Sequence, residues 1–241
     1  MRTEVDIVAT ADRGVRHRAS GGLGVRVVGP GHVQLIGTAA TPLGGDEIVV
    51  RVRVETGAHL SVGSVAATIA LPARGRTDSV MRWDIEVAEG GHLRLDTQPT
   101  VVAGGASHDS DIVVRMGADA TLDLHEHVQI GRATTMSAAT VDRDRTGTWT
   151  GGLRVEVGGD IVLAHRVALG AGTPAGAIGH RAMSSVFRYP DRRPDAVHPT
   201  EFAARLSLVG GASLTNALGA SVAATRRLVD AHELDALAAV R

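Results

Sequence analysis

Apolar and polar residues alternate along several segments within the first 170 residues of the chain. In the segment that begins at Ile48, every second residue is apolar, and the charged residues Arg51 and Arg53 stand between them. Successive side chains of a β-strand point to opposite faces, so this alternation predicts strands with one buried and one solvated face. The apolar positions of the four clearest segments are Ile48, Val50, Val52 and Val54; Met81, Trp83, Ile85 and Val87; Ile112, Val114 and Met116; and Leu153, Val155 and Val157.

Each of these segments is followed by a glycine-bearing turn and then by a second segment of strand character. Glycine is favoured in tight turns because they need positive φ angles, which side chains disfavour. The turns follow one another at irregular intervals of 33, 27 and 41 residues. A hairpin repeated in this way must stack on its neighbours to bury its apolar face. We therefore predict a mainly β fold, an irregular β-helical or β-solenoid stack of antiparallel hairpins, with a β-sandwich as the related alternative. The turn glycines are Gly57, Gly90, Gly117 and Gly158.

The alternation of apolar and polar residues ends in the last third of the chain. We predict one domain over residues 1–241 that consists of three parts. Residues 10–170 form the β-rich body, and 171–212 are predicted to be a loop-rich connection because glycine, proline and short polar stretches are frequent there. Residues 213–241 are predicted to form a short helical tail, since apolar residues recur there at steps of three and trace one helical face. The residues of that face are Leu228, Ala231, Leu234, Leu237 and Val240.

Composition excludes several classes of function. The 241 residues include no cysteine and no lysine, which rules out a disulfide framework, a thiolate metal site and a P-loop lysine. The 25 arginines nearly balance 26 acidic residues, and only 2% of the residues are aromatic. A nucleic-acid-binding protein normally shows a basic excess and stacking aromatic side chains, so we expect no nucleic-acid partner.

The sequence also argues against a membrane partner or a targeting segment. Charged residues Arg2, Glu4 and Asp6 occupy the N-terminus, where a secretory signal would need an apolar run. The chain lacks the stretch of about 18 apolar residues that a membrane-spanning helix requires. We therefore expect a cytoplasmic protein.

The densest group of polar residues is the run from Asp123 to His127. On a strand, alternation places Asp123, His125 and His127 on one face, where two imidazoles and a carboxylate can converge on a metal ion. The alternative is an ordinary solvated strand face with surface histidines. The corresponding alternative function is a small, cupin-like metal-dependent enzyme that uses His125 and His127, although the glutamate that cupins place a few residues further on is absent.

Glu126 lies in the opposite phase, on the face shared with Leu122, Leu124 and Val128. A carboxylate on an apolar face needs a partner or lines a water-filled path, because burying an isolated charge is costly. Glu126 is therefore either paired with a nearby arginine for structural reasons or part of such a path.

A glycine-rich run from Gly170 to Gly176 follows an apolar segment and superficially resembles a dinucleotide-binding fingerprint. Such a fingerprint needs the start of a helix within a strand–helix–strand unit, where free N–H groups meet the pyrophosphate. Here the upstream segments are predicted hairpins, and Pro174 removes one donor, so we expect a loop.

Several short motifs occur in a defined order over residues 10–170. They are Asp12-Arg13-Gly14, Pro42-Leu43-Gly44-Gly45-Asp46, Thr56-Gly57-Ala58-His59-Leu60 with Ala66-Ala67-Thr68, Gln98-Pro99-Thr100-Val101-Val102 with Gly105-Ala106, and Leu124-His125-Glu126 with Gly131-Arg132. In this order the motifs resemble those of the UreD (UreH) family of urease accessory proteins. The chain departs from the family pattern at Ile69, where a lysine is usual, and in its tail, which lacks the family's Trp-x-x-Leu-Arg ending.

This resemblance implies a non-catalytic scaffold with a β-helical body and C-terminal helices. It implies binding to urease apoprotein and to the helical accessory protein UreF, which recruits the GTPase UreG, so that the complex delivers nickel to the urease active site. It implies no tightly bound cofactor, since nickel is cargo in transit. Glu126 is then a candidate for lining the nickel path, with Asp123, His125 and His127 as an alternative surface site of transient nickel contacts.

Overall fold

The computed structural model describes residues 1–131, 146–170 and 179–238, with side chains up to Glu233. Within these residues the protein consists of two β-sheets and one C-terminal α-helix, α1 (Val222–Ala238). The mainly β fold class that the alternation predicts is confirmed.

Seven strands form the first sheet, called sheet A. They are β1 (Arg2–Thr10), β2 (Gly14–Ser20), β5 (Glu47–Val54), β8 (Asp78–Val87), β11 (Ser107–Met116), β13 (Thr148–Val157) and β14 (Asp160–Leu169). Their spatial order is β14-β13-β11-β8-β5-β1-β2.

The second sheet, sheet B, has eleven strands. Nine of them follow the spatial order β16-β17-β18-β15-β12-β9-β6-β4-β3. The short strand β10 pairs with β12, and the short strand β7 pairs with β10. Their bounds are β3 (Leu23–Gly29), β4 (His32–Gly37), β6 (His59–Ser64), β7 (Thr68–Ala70), β9 (His92–Asp96), β10 (Thr100–Val102), β12 (Thr121–Ile130), β15 (Ala182–Tyr189), β16 (Ala196–Val197), β17 (Ala203–Leu208) and β18 (Ala212–Gly219).

The first three glycine turns connect the two sheets. The turn at Gly57 links β5 of sheet A to β6 of sheet B, and those at Gly90 and Gly117 link β8 to β9 and β11 to β12 in the same way. Each strand then pairs in parallel with the equivalent strand of the next turn, as β5 does with β8 and β6 with β9. The predicted antiparallel hairpins are therefore wrong for these three turns. Of the four turns, the one at Gly158 does close an antiparallel hairpin, between β13 and β14.

The main hydrophobic core lies between the two sheets. A turn that places one strand in each sheet lets the apolar faces of both strands meet, whereas a hairpin within one sheet would direct them to the same side. Val50 and Ile85 of sheet A and Leu124 and Phe187 of sheet B are all 0–1% exposed in this core. The burial pattern along β5 and β8 confirms the predicted apolar phase of those strands.

The region 171–212, predicted as a loop-rich connection, holds β15, β16 and β17, so that prediction is wrong. β15 lies between β12 and β18, and its residues 182–187 are all buried. A strand covered on both faces does not alternate, which is why the pattern missed it.

The predicted helical tail starts too early, because Leu214 lies in β18 and the helix begins at Val222. Arg132 and the glycine-rich residues 171–176 lie outside the described residues.

Helix α1 packs on sheet B, where it contacts β12, β15, β17 and β18. Val229 of the helix is buried in a small cluster with Val186 and Ala217. Glu233 forms ion pairs with Arg188 at 2.6 Å and with Arg193 at 2.9 Å. The helix is therefore held on sheet B by apolar packing around Val229 and by the ion pairs of Glu233. In the described part of the chain, no helix is long and apolar enough to cross a membrane.

Candidate functional site

The candidate site lies on β12, at the point where the pairing partner of this strand changes. β9 pairs with β12 as far as His125, and β10 takes over from Val128. Glu126 and His127 therefore lie at a break in the neighbouring strand. A cavity of about 540 Å³ opens at this break, and both residues line it.

On the face of sheet B that helix α1 covers, the break brings together Asp96, His125 and His127. Asp96 is the last residue of β9 and lies directly opposite His125 in the parallel register. One potential ligand atom from each of the three side chains lies within 4.8 Å of the other two. Two imidazoles and a carboxylate are a donor set suited to a first-row divalent cation.

Asp123 lies beside this group of three and contacts one of its members. Its Oδ1 is 2.9 Å from His125 Nε2, and Arg94 and Arg188 form ion pairs with the same carboxylate. Burial opposes the ionisation of Asp123, but the hydrogen bond and charge of His125, together with the two arginines, outweigh it and hold the pKa below its usual range. Asp123 is thus a charged carboxylate positioned to orient the His125 ring.

His127 is almost completely buried, at 5% exposure. Its Nδ1 is 2.9 Å from Ser184 Oγ of β15, and Ser184 Oγ is 2.8 Å from Thr225 Oγ1 of helix α1. Among the described residues, Nε2 of His127 has no hydrogen-bond partner. Burial, with smaller contributions from the charges of Arg226 and His125, lowers the pKa of His127 to about 3. The imidazole is therefore neutral near pH 7, which is the form that binds metal.

Glu126 points the other way, into the space between the two sheets. Ser110 of β11 lines the same cavity beside its carboxyl group, and no arginine of the described residues forms an ion pair with Glu126. Burial raises the pKa of Glu126 to about 8. The negative charge of Asp111 also raises it, whereas the interaction with Ser110 lowers it. The carboxyl group is therefore mostly protonated near pH 7, so binding of a cation there would release a proton.

A buried histidine close to Ser110 is missing from the candidates that the sequence suggests. His108 is 1% exposed, and its Nδ1 is 2.9 Å from Ser79 Oγ of β8. Within the described part of the chain, Nε2 of His108 has no hydrogen-bond partner. Burial lowers the pKa of His108 to about 4, so this ring is also neutral near pH 7. The phase of β11 could have revealed it, because His108 and Ser110 share the apolar face with Ile112.

Asp96 is missing from those candidates too, although the internal repeat contains the information that locates it. The segments 91–95 and 120–124 resemble each other in sequence, and the structure stacks them as in-register parallel strands. Extending that alignment by one residue places Asp96 beside His125. In the series of antiparallel hairpins predicted from the sequence, Asp96 and His125 would not be neighbours. They become neighbours because the repeated segments stack in parallel.

Comparisons with known proteins agree on one family. The family described as UreD urease accessory protein matches residues 13–238. The chain is similar to urease accessory protein UreD of Frankia alni, at 36% identity over 96% of this chain and 85% of that protein. It is similar to urease accessory protein UreD of Streptomyces avermitilis at 32% identity, over 95% of this chain and 97% of the other. Urease accessory protein UreD 1 of Saccharopolyspora erythraea is 31% identical over 100% of this chain and 91% of its own length.

Proposed function

This chain belongs to the UreD family of urease accessory proteins, and we propose that it is a non-catalytic scaffold that binds urease apoprotein and helps to deliver nickel to the urease active site. The family predicted from the order of the motifs is confirmed by the match over residues 13–238. Membership of a family of accessory proteins assigns the chain to urease maturation and leaves the cupin-like enzyme without support.

The observation that best supports a role in nickel transfer is the inward-facing, partly buried carboxyl group of Glu126. It lies between the sheets, beside a cavity of about 540 Å³ that reaches the break in sheet B. Ser110 contacts Glu126, and the neutral His108 follows two residues away on the same face of β11. Glu126, Ser110 and His108 thus place weak oxygen and nitrogen donors on the inward faces of β12 and β11.

Transfer of a metal ion needs ligands that bind and then release it. Carboxyl, hydroxyl and imidazole groups suit this task because they bind nickel less tightly than a set of thiolates does. The chain contains no cysteine, so no thiolate can trap the ion. Nickel is therefore treated as cargo. Of the three residues Asp123, His125 and His127, the two histidines are proposed as transient contacts on the other face of β12, and Asp123 is proposed to act through His125, to which it is hydrogen-bonded.

The proposed partners are urease apoprotein, UreF, and UreG through UreF, and the proposed location is the cytoplasm, where these partners would meet the chain. Exposed apolar side chains on the β16–β17 hairpin support a protein contact in this part of the molecule. Val197 is 71% exposed and Phe202 is 67% exposed. Clusters of exposed apolar side chains are typical of protein–protein contact sites, and we propose that these two residues contribute to one.

The proposed function is tested by expressing urease with its other accessory proteins, in the presence and absence of this chain. We expect urease made without the chain to be poor in nickel and inactive, because the scaffold for transfer is missing. Nickel content per urease and specific activity are the two measurements. Urease that is fully loaded with nickel and fully active without the chain would contradict the proposal. Co-purification of urease apoprotein with the tagged chain tests the binding step separately.

A further inference from the structure

We propose that Asp96, His125 and His127 form an exchangeable binding site for a first-row divalent cation, and that Arg226 of helix α1 competes with the cation for Asp96. This site is separate from Glu126, which faces the other side of sheet B. The inference depends on local geometry alone and holds whether or not the chain serves urease. It begins with the three ligand atoms that lie within 4.8 Å of one another.

A chain of hydrogen bonds sets the tautomer of His127. Thr225 Oγ1 donates its only proton to the backbone carbonyl of Val222, at 3.2 Å. Ser184 must therefore donate to Thr225, and Nδ1 of His127 must then carry the proton that Ser184 accepts. The remaining nitrogen, Nε2, carries a lone pair, is buried and has no partner among the described residues. A buried lone pair without a donor is unfavourable, and a bound cation would satisfy it.

Asp123 prepares the second imidazole in a similar way. It accepts a hydrogen bond from Nε2 of His125, which leaves Nδ1 of that ring for a cation. A carboxylate behind a ligating histidine orients the ring and raises the basicity of the ligating nitrogen. Arg94 and Arg188 hold Asp123 in place from the other side. Both histidines are thus held by neighbours that lie outside the group of three.

The donor set selects the class of cation. Two imidazole nitrogens and one carboxylate favour Zn²⁺, Co²⁺, Ni²⁺ or Cu²⁺ over Mg²⁺ and Ca²⁺, which prefer oxygen donors throughout. Tetrahedral coordination with bonds of about 2.0–2.1 Å requires ligand atoms roughly 3.4 Å apart. One potential ligand atom from each of the three side chains lies within 4.8 Å of the other two, so side-chain rotations that close the remaining gap would complete the site. Three protein ligands leave further coordination positions open, which permits exchange.

Helix α1 takes part in this site through two consecutive residues. Thr225 fixes the tautomer of His127, and Arg226 forms an ion pair with Asp96 at 3.6 Å. A cation that binds Asp96 replaces this guanidinium, because both need the same carboxylate and repel each other. Removal of the Arg226 charge is therefore expected to strengthen cation binding, whereas loss of Asp96 or His125 weakens it.

The test is calorimetric titration of the full-length chain, freed of metal by a chelator, with Zn²⁺ and separately with Ni²⁺. We expect one cation per chain in the wild type, and at least about tenfold weaker binding in Asp96→Asn and in His125→Ala, the scale seen when a metal site is disrupted. Arg226→Gln should bind more tightly than the wild type. His17→Ala, which removes an exposed histidine of β2, is the matched control and should bind as the wild type does.

Thermal unfolding separates loss of binding from loss of folding. Asp96→Asn keeps the size of a partly exposed side chain, and its metal-free midpoint should match the wild type. A cation that binds the folded state raises the midpoint of the wild type and of His17→Ala, and this rise should disappear in Asp96→Asn and His125→Ala. Absence of binding in the wild type, or equal binding in Asp96→Asn and the wild type, overturns the inference. Failure of the titration would also remove His125 and His127 as nickel contacts, but because it contains no urease, it would leave the role of the chain in urease maturation standing.

Discussion

Glu126 and His127 are consecutive on β12, yet their side chains contact opposite layers of the protein. Glu126 meets Ser110 of the facing sheet, whereas His127 meets Ser184 of its own sheet, which in turn contacts helix α1. The alternation of strand side chains makes this separation unavoidable. One short segment of β12 therefore presents a carboxyl group to the interior and an imidazole to the face beneath the helix, at the point where β9 gives way to β10.

The interior carboxyl group of Glu126 is tested by Glu126→Gln, which keeps the size of the side chain and removes its acidity. We expect nickel loading and activity of co-expressed urease to fall about tenfold or more, the scale for loss of a group in a metal site. Stability should change little, because burial already keeps Glu126 mostly neutral at pH 7, with a pKa raised to about 8. Glu86→Gln, at an exposed position of β8, is the matched control. Normal urease loading with Glu126→Gln would remove Glu126 from the nickel path.

The hydrogen-bond chain to His127 predicts the tautomer of that ring. In the wild type, nitrogen NMR spectra of the histidine side chains should show His127 protonated at Nδ1 and bare at Nε2 near pH 7. Thr225→Val removes the hydroxyl that accepts from Ser184, so Ser184 becomes free to donate to His127 and the second tautomer should appear. Thr225→Ser retains a hydroxyl and should keep the wild-type tautomer. A wild-type His127 ring protonated at Nε2 would contradict the prediction, because Ser184 would then donate to Nδ1 of His127.

The carboxylate of Asp191 predicts how stability depends on pH. Burial opposes its ionisation, but hydrogen bonds from Arg193 and Ser213 outweigh this and lower the pKa of Asp191 to about 2. A group whose pKa is lower in the folded state adds stability above its unfolded pKa and loses it as the pH falls through the folded value. The contribution, up to about 2 kcal/mol, should therefore be complete above about pH 5 and decline towards pH 2.

The Asp191 prediction is measured by urea unfolding of the wild type and of Asp191→Asn at several pH values. The free energy of unfolding of the variant should be lower at pH 7, and the difference between the two proteins should shrink as the pH is lowered. Asp195→Asn, which alters a carboxylate beside exposed Ser207, serves as control because an exposed site contributes little. A difference that stays constant with pH would show that ionisation of Asp191 does not stabilise the fold.

The position of β15 inside sheet B predicts a sharp contrast between the two phenylalanines of the chain. Phe187 is fully buried between the sheets, so Phe187→Ala should lower the free energy of unfolding by about 3–5 kcal/mol through lost burial and a cavity. Phe202 is 67% exposed, and Phe202→Ala should change the free energy of unfolding by no more than about 0.5 kcal/mol. Denaturant unfolding of both variants checks this. Similar values for the two would mean that β15 is not part of the core.

Local pattern is sufficient to predict the faces of the strands. Alternation alone identifies the apolar phase of β5 and β8, and it places Glu126 on the interior side of β12. It also locates the turns, because Gly57 and Gly90 adopt φ angles of 66° and 65° that other residues disfavour. These features depend on neighbours within a few residues, and the chain specifies them directly.

Pairing between distant strands does not follow from local pattern in the same way. A glycine turn followed by an alternating strand is compatible with a hairpin in one sheet and with a crossing to the facing sheet, since both need the same turn and the same alternation. Local pattern misses Asp96 for this reason, because Asp96 joins His125 only when β9 and β12 stack in parallel. It misses β15 because helix α1 covers the outer face of that strand, and burial on both faces removes the alternation.

By itself, the sequence determined the family, the strand-rich body, the buried phase of each alternating segment and the histidine-rich strand, since each of these is written in residues close together in the chain. Only the tertiary structure decided which strands are neighbours, that Asp96 completes the group with His125 and His127, and that helix α1 reaches this group through Thr225 and Arg226. The physical reason is that alternation specifies the face to which a side chain points, while its neighbour on that face depends on contacts between segments far apart in sequence.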